Sequence, residues 1–193
     1  MARPKEFKVD EALEAALNVF WDNGYSATSL SDLMINMGLN KGSLYGTFGD
    51  KHTLFMAALD RYEQKGLQRM QETLERPSSV KTVIRDWMLD NYANCKTDEG
   101  YRGCFHYSTI LEMTSHDKVI AKRLKQYAQS LEQIMQQALE RGKAEGEFAS
   151  DLDSKCMAKF LMNTNAGLQV TMKLSSDKRE FQALVEITLS MLN

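Results

Sequence analysis

The sequence predicts an all-α chain of about nine helices, and three observations carry that prediction. Only two prolines interrupt 193 residues. Leu, Met, Ala, Glu, Lys and Gln fill long stretches in which apolar residues recur every three or four positions, the spacing of one helical face. No stretch shows the strict apolar–polar alternation of a half-buried strand. The length has room for a small unit followed by a medium one, and the expected division is 1–52 and 53–193.

A first helix is expected from Val9 to about Asn23, with Val9, Leu13, Ala16, Leu17 and Phe20 on its apolar face. From Gly24 to Phe55 the chain reads GYSATSLSDLMINMGLNKGSLYGTFGDKHTLF. Thr28 or Ser29 can cap a second helix, and Asp32, three positions after Ser29, answers the free amides of its first turn. Leu30, Leu33, Met34 and Met37 follow at the spacing of one face. Gly38 supplies a left-handed turn residue, and Leu39 plugs the corner. Asn40 caps a third helix whose Leu44 and Phe48 lie four apart and point inward. Its other face shows Lys41, Gly42, Ser43, Gly46 and Thr47. Gly42 and Gly46 each cost roughly 1 kcal/mol of helix stability relative to alanine. That cost has a purpose if a bulky partner, such as a major-groove floor or a phosphate strand, approaches the backbone closely. Gly49-Asp50 stops this helix, and Asp50 caps the next. Two short helices about a glycine turn suit a helix-turn-helix that lays one helix across a DNA groove; a plain helical hairpin has the same local pattern.

The longer pattern resembles the TetR family of bacterial transcriptional regulators. Phe20, Trp21, Gly24, Tyr25, Thr28 to Leu30, Asp32, Leu33 and Met37 to Phe55 carry the resemblance, which is close over the first 55 residues. The rest agrees in length and helical character. The resemblance implies a three-helix DNA-binding domain followed by a helical ligand-binding and dimerisation domain. A homodimer would set Asn40–Thr47 of each subunit in successive major grooves of a palindromic operator, about 34–36 Å or a longer interval apart. Lys41 and Ser43 are the expected base-edge readers, with Gly42 allowing close approach. By resemblance, Thr28, Ser29, Tyr45, Thr47 and Lys51 would hold phosphates, and Arg3 and Lys5 would reach an adjacent minor groove. The family often carries an aromatic or histidine where Thr47 stands; threonine is smaller.

Charge narrows the function. The chain is formally −2, and its first 52 residues hold five Lys/Arg against seven Asp/Glu, again −2. Bulk coating of DNA is excluded. Positive charge is instead focused in an Arg3, Lys5, Lys8 arm and at Lys41 and Lys51, two helix starts whose free amides add positive potential. Few phosphate contacts per subunit, and a modest salt slope, are expected. No apolar run of about 18 residues offers a membrane span. MARPKEFKVDEAL lacks the apolar core of a signal peptide. Cys95, Cys104 and Cys156 form neither a disulfide framework nor a zinc pattern, and His106 and His116 have no carboxylate or thiol at ligand spacing. The expectation is a cytoplasmic protein with no metal and no cofactor. An enzyme would need a clustered acid, base and nucleophile, or cofactor glycines after a strand, and the sequence has neither. A structural or nucleoid-type binder would need the bulk basic charge that is missing.

Beyond residue 50, a long helix from about Lys51 to Glu75 (Leu54, Phe55, Ala58, Leu59, Tyr62, Leu74) leaves the first unit. Pro77-Ser78-Ser79 breaks it, and Ser79 caps a helix to about Ala93 with Val83, Ile84 and Trp87 inward. Asn94 to Gly103 reads as a loop. Cys104–Thr114 and Asp117–Glu145 read as a short and a long helix. Two more follow, from Asp151 or Asp153 through Lys173 and from after Ser175-Ser176-Asp177 through Leu192. Phe160, Leu161, Gly167, Leu168, Phe181, Leu184, Val185, Leu189 and Leu192 make these last two apolar on more than one side. The resemblance implies that they pair with their symmetry mates as a four-helix bundle; burial in a monomer core is the alternative. Trp87, Tyr92, Cys104, Phe105, Tyr107, Met113, Met135, Phe160 and Met162 are candidate lining for a small-molecule inducer, as the resemblance implies, or plain core. Cys104 follows Arg102-Gly103 at an expected helix start, where amides and a guanidinium would lower a thiol pKa. That pattern is similar to TetR-type sensors of electrophiles or oxidants; a small buried hydrophobe is the alternative. An inducer would favour wrongly spaced recognition helices, with the Lys51–Glu75 helix as transmitter.

Overall fold

A computed structural model describes residues 8–98, 100–175 and 177–192. Among the described residues the chain forms nine α-helices: α1 (Val9–Asn23), α2 (Leu30–Met37), α3 (Lys41–Phe48), α4 (Lys51–Leu74), α5 (Val80–Cys95), α6 (Phe105–Met113), α7 (Lys118–Ala144), α8 (Ser154–Thr171) and α9 (Lys178–Ser190). Side-chain caps set most of the starts. Ser29 and Asp32 form a reciprocal capping box on α2, while Asn40, Asp50, Ser79, Asp117, Asp153 and Asp177 each accept a backbone amide of the helix they precede. Gly38 takes φ 63°, the left-handed turn that lets α2 end and α3 leave at an angle.

Burial separates two cores. The first gathers α1 to α3 with the front of α4: Ala16, Leu17, Phe20, Leu33, Leu44, Leu54, Phe55 and Leu59 are all at most 2% exposed. Phe105 and Met113 of α6 and Ile120 and Leu124 of α7 join this core. The second gathers the rear of α4 with α5, α7, α8 and α9. One continuous helix, α4, therefore contributes to both.

Four sequence expectations are corrected. Val9 is 49% exposed, because the first turn of α1 overhangs the core that Ala16, Leu17 and Phe20 fill. The expected loop from Asn94 to Gly103 holds the last turn of α5 and an antiparallel pair, β1 (Lys96–Thr97) with β2 (Gly100–Tyr101). That turn buries Cys95 and the pairing folds Tyr101 back onto Tyr92, two apolar gains that a polar composition hides. The final helix ends at Ser190, with Leu192 buried in the turn beyond it. Finally, Leu161, Phe181, Val185, Leu189 and Leu192, expected at a dimer face, are at most 3% exposed in the subunit's own second core.

Candidate nucleic-acid interface and effector cavity

The outward face of α3 is polar, small and open. Leu44 and Phe48 are buried beneath it, whereas Lys41, Gly42, Tyr45, Gly46 and Thr47 are exposed and Ser43 is half-buried. A Cβ built on Gly46 meets nothing within 4 Å, and one on Gly42 meets only the Asn40 carboxamide at 3.4 Å. Neither glycine serves internal packing, so both leave the backbone bare toward the outside. Lys41 holds its ammonium 5.9 Å from the Tyr45 ring centroid, one turn along the same face. Lys51 sits 4.5 Å over the ring of Tyr25, which fixes a cation beside the start of α4.

Two of the expected phosphate ligands have other engagements. Thr28 is 2% exposed and its hydroxyl donates to the Gly24 carbonyl at 2.6 Å. It closes the turn before α2 and does not present a surface hydroxyl. The Ser29 hydroxyl accepts from the Asp32 amide and donates to the Asp32 carboxylate at 2.6 Å. Arg3 and Lys5 lie outside the described residues.

The acidic balance of the first unit is neutralised within the chain. Glu14 accepts from Arg61 and Lys65 of α4, both at 2.6 Å, and Arg61 also meets Asp10 at 3.1 Å. These cations hold the Glu14 carboxyl below its usual range against the opposing effect of burial. Asp32 and Asp50 are spent on helix caps. Lys41 makes no ion pair among the described residues, so the formal charge understates the positive potential at α3.

A clamp joins this unit to the rest of the chain, and most of it is made by α6 and the turn before it. The Glu112 carboxylate accepts from the amides of Tyr25 at 2.9 Å and Ser26 at 2.7 Å. The Trp21 indole donates to the Gly103 carbonyl at 2.8 Å, and the Arg102 guanidinium lies 3.6 Å over the Trp21 ring. His52 meets the Asp117 carboxylate at 2.7 Å. Sequence reasoning missed Arg102, Glu112 and Asp117 as contacts because their partners lie 65 or more residues away.

Behind α6 lies a cavity of about 50 Å³ between α4, α5, α7 and α8. It has room for roughly three or four water-sized groups. Of the expected lining, Trp87, Cys104, Tyr107 and Met162 face it. Tyr92 packs on Tyr101 and Phe181, Phe105 and Met113 belong to the first core, Met135 to the second, and Phe160 is 40% exposed outside. Those five are not lining. The remainder of the wall is more polar than expected, with Asn91, His106, Tyr127, Asn165 and Gln169. Gly66 lets the Tyr127 phenol enter, since a Cβ there would collide with its hydroxyl oxygen.

Cys104 stands at the N-cap position of α6 as expected, without a side-chain cap bond; burial pushes its thiol pKa up, against smaller opposing effects of the Tyr62 hydroxyl (3.2 Å), two backbone amides and Arg69. The expected guanidinium, Arg102, is turned away onto Trp21, Asp22 and Asn18. Among the described residues no group of three metal-ligating side chains occurs, and no helix is long and apolar enough to cross a membrane.

On the far side, α8 and α9 carry an apolar stripe that faces out. Phe160 and Val170 are 40% and 45% exposed, Ile187 and Met191 are 64% and 58% exposed, and Gly167 between them opens onto empty space. Phe160 and Gly167 were expected here. Val170, Ile187 and Met191 were not, because single-sequence periodicity cannot rank two apolar faces of one helix.

Comparison with known proteins agrees with this architecture. Residues 12–58 match the bacterial regulatory proteins of the tetR family, and residues 79–187 match the tetracyclin repressor-like C-terminal domain. The chain is 32% identical over 194 residues, all of both chains, to the uncharacterized HTH-type transcriptional regulator YezE of Bacillus subtilis (strain 168). It is 31% identical to the HTH-type transcriptional repressor ComR of Escherichia coli (strain K12), covering 98% of this chain and 90% of that one. A cysteine mutant of the TetR family transcriptional regulator CifR, solved with 26 bp double-strand operator DNA, superposes over 100% of each chain with a TM-score of 0.89 at 28% identity.

Proposed function

The chain belongs to the TetR family of bacterial regulatory proteins and is a transcriptional regulator, and from that premise we propose that it is a ligand-released repressor whose α3 faces read a palindromic operator. It binds double-stranded DNA as a homodimer. Residues 1–52 read the operator and residues 53–193 bind the effector and pair the subunits. The single observation that carries the reading is the open flank of α3, where Lys41, Gly42 and Gly46 are exposed beside a half-buried Ser43, over a buried Leu44 and Phe48. Lys41 and Ser43 reach base edges, and Tyr45, Thr47 and Lys51 hold phosphates. Ser29 adds a phosphate contact only if its capping box with Asp32 rearranges, since both its amide and its hydroxyl are engaged there, and Thr28 supports the turn beneath. The protein works in the cytoplasm and is not an enzyme.

The pairing surface is the exposed Phe160, Gly167, Val170, Ile187 and Met191 stripe, a face that a monomer would leave wet. A two-fold reader matches a two-fold operator. Release runs through α6 as well as α4. Cys104, His106 and Tyr107 line the cavity, while Gly103 and Glu112, at the two ends of the same short segment, grip Trp21, Tyr25 and Ser26. A ligand that displaces α6 therefore shifts the first unit against the second, and the spacing of the two recognition helices changes.

Selection of bound duplexes from random DNA, repeated with two variants, tests the proposal. Lys51→Ala lowers affinity about equally for all selected sequences and reduces the salt slope by roughly one, whereas Ser43→Ala alters preference at one base position. An unaltered preference profile for Ser43→Ala refutes the role given to that residue. Recovery of no enriched sequence by the unmodified protein refutes the repressor reading itself.

A further inference from the structure

The cavity behind α6 is small, but its polar groups are unfinished. Asn165 and Gln169 are 4% and 2% exposed, and His106 is 1% exposed. The Asn165 carbonyl oxygen, the Gln169 amide nitrogen and both ring nitrogens of His106 have no hydrogen-bond partner. One of the histidine nitrogens is 3.9 Å from Glu63; the other has no such neighbour. Native interiors rarely leave such groups unsatisfied without a ligand or water to complete them. The pattern is specific. Gln169 spends its carbonyl on the Tyr101 hydroxyl, so only its donor is spare. Asn165 has only its acceptor spare. The two residues are four apart on α8, hence side by side on one face. One hydroxyl on a ligand would serve both, accepting from Gln169 and donating to Asn165.

The outlet supplies the other half. Gly66, Arg69, Trp87, Asn91 and Asn94 line both the cavity and a surface groove of about 230 Å³ between α4 and α5. Arg69 makes no hydrogen bond or ion pair with another described residue. Its charge nonetheless reaches inward, opposing the effect of burial at Cys95, Cys104 and Tyr127. The cavity wall bears this one unpaired cation, while the nearby Glu63 is already held by Arg123 at 2.7 Å. The outlet groove also carries Arg76, which meets Asp86 at 3.6 Å, and the acidic Glu72 and Asp90, so a single negative charge matches Arg69 better than a dianion does.

We propose that this cavity binds a short hydroxy acid of roughly two to four carbons, its carboxylate on Arg69 at the α4–α5 outlet and its hydroxyl between Gln169 and Asn165. The proposal rests on the effector reading given above and adds the chemical class to it. Trp87, Tyr127 and Met162 close around the carbon chain. A tight fit of so few atoms to a preformed site corresponds to affinities between about 1 mM and 1 μM.

The test is titration of the full chain with lactate, followed by tryptophan fluorescence, since Trp87 and Trp21 line the cavity. Lactamide lacks the charge, propionate lacks the hydroxyl, and inorganic phosphate reports a bare anion site. Lactate is expected to bind at least about 10-fold more tightly than lactamide or propionate, as loss of one charge-assisted or bridging hydrogen bond requires. Arg69→Gln, at an exposed position that leaves folding intact, erases the preference for lactate over lactamide. Gln169→Met erases the preference for lactate over propionate. Equal binding of lactate and lactamide, tightest binding by phosphate, or no binding of lactate overturns the proposal. Duplex binding is measured in the same samples. Lactate that binds with the expected discrimination but leaves the duplex bound sinks the effector reading and leaves the site chemistry standing; a duplex-binding protein that ignores lactate does the reverse.

Discussion

Substituting Gly66 by alanine sets two effects against each other. Gly66 lies inside α4, where glycine costs about 1 kcal/mol relative to alanine. Alanine should therefore stabilise the helix by that amount. Its methyl group, however, would land on the Tyr127 hydroxyl oxygen, with the ring carbon that bears it 3.3 Å away. Overpacking of this kind costs about 1–3 kcal/mol. Tyr127 is 8% exposed and its ring is rigid, so relief comes only by swinging toward the adjacent cavity. The net expectation for Gly66→Ala is a loss of up to about 2 kcal/mol. In a Tyr127→Phe background the colliding oxygen is gone, and the same substitution should be neutral or stabilising by up to about 1 kcal/mol. A coupling of about 1–3 kcal/mol between the two positions, the overpacking cost itself, follows. Urea unfolding of the four proteins in the cycle measures it. If Gly66→Ala stabilises both backgrounds equally, the reasoning that this glycine exists to admit Tyr127 is wrong.

Two further outcomes follow from the same geometry. Ile187→Asp places a charge on the α9 stripe, 64% exposed in one subunit, and should shift sedimentation from dimer to monomer without unfolding the subunit; a persisting dimer places the pairing face elsewhere. Burial lowers the His106 pKa to about 4, so the folded state holds its ring neutral while the unfolded chain protonates near 6.5. The stability it contributes is present above 6.5 and is lost as pH falls toward 4. Burial raises the Glu63 pKa to about 7, against the lowering effect of Arg123, and the sign there is opposite: its contribution falls as pH rises from 4.5 toward 7. His106→Gln should flatten the low-pH arm of a melting-temperature profile, and an unchanged arm would show that His106 does not titrate with unfolding.

The first unit was legible because its signals are local. A cap, a glycine turn and inward leucines lie within a few residues of one another, and Ser29, Gly38, Asn40 and Asp50 behave as their types require. The second half was less so. Which apolar face of α8 is internal depends on where α7 and α9 sit, and Leu161 and Phe160 are neighbours with opposite fates. The cavity wall was read from aromatic and thioether residues, yet Asn165 and Gln169 also line it, and a polar residue on a long helix gives no local sign of facing a cavity. The guanidinium expected beside Cys104 is not there because Arg102, two residues away in sequence, points to Trp21. Sequence spacing fixes neighbours along a helix, not across a fold.

The open flank of α3 is the central claim, and Gly46→Leu tests it most directly. Among the described residues, apart from its chain neighbours and its own helix backbone, nothing lies within 4 Å of the added Cβ, and leucine is a better helix former by somewhat under 1 kcal/mol. Thermal stability should hold or rise, while affinity for the selected duplex falls by at least about 100-fold as the side chain blocks approach to the groove. A folded Gly46→Leu protein that binds the duplex as tightly as before would contradict the account.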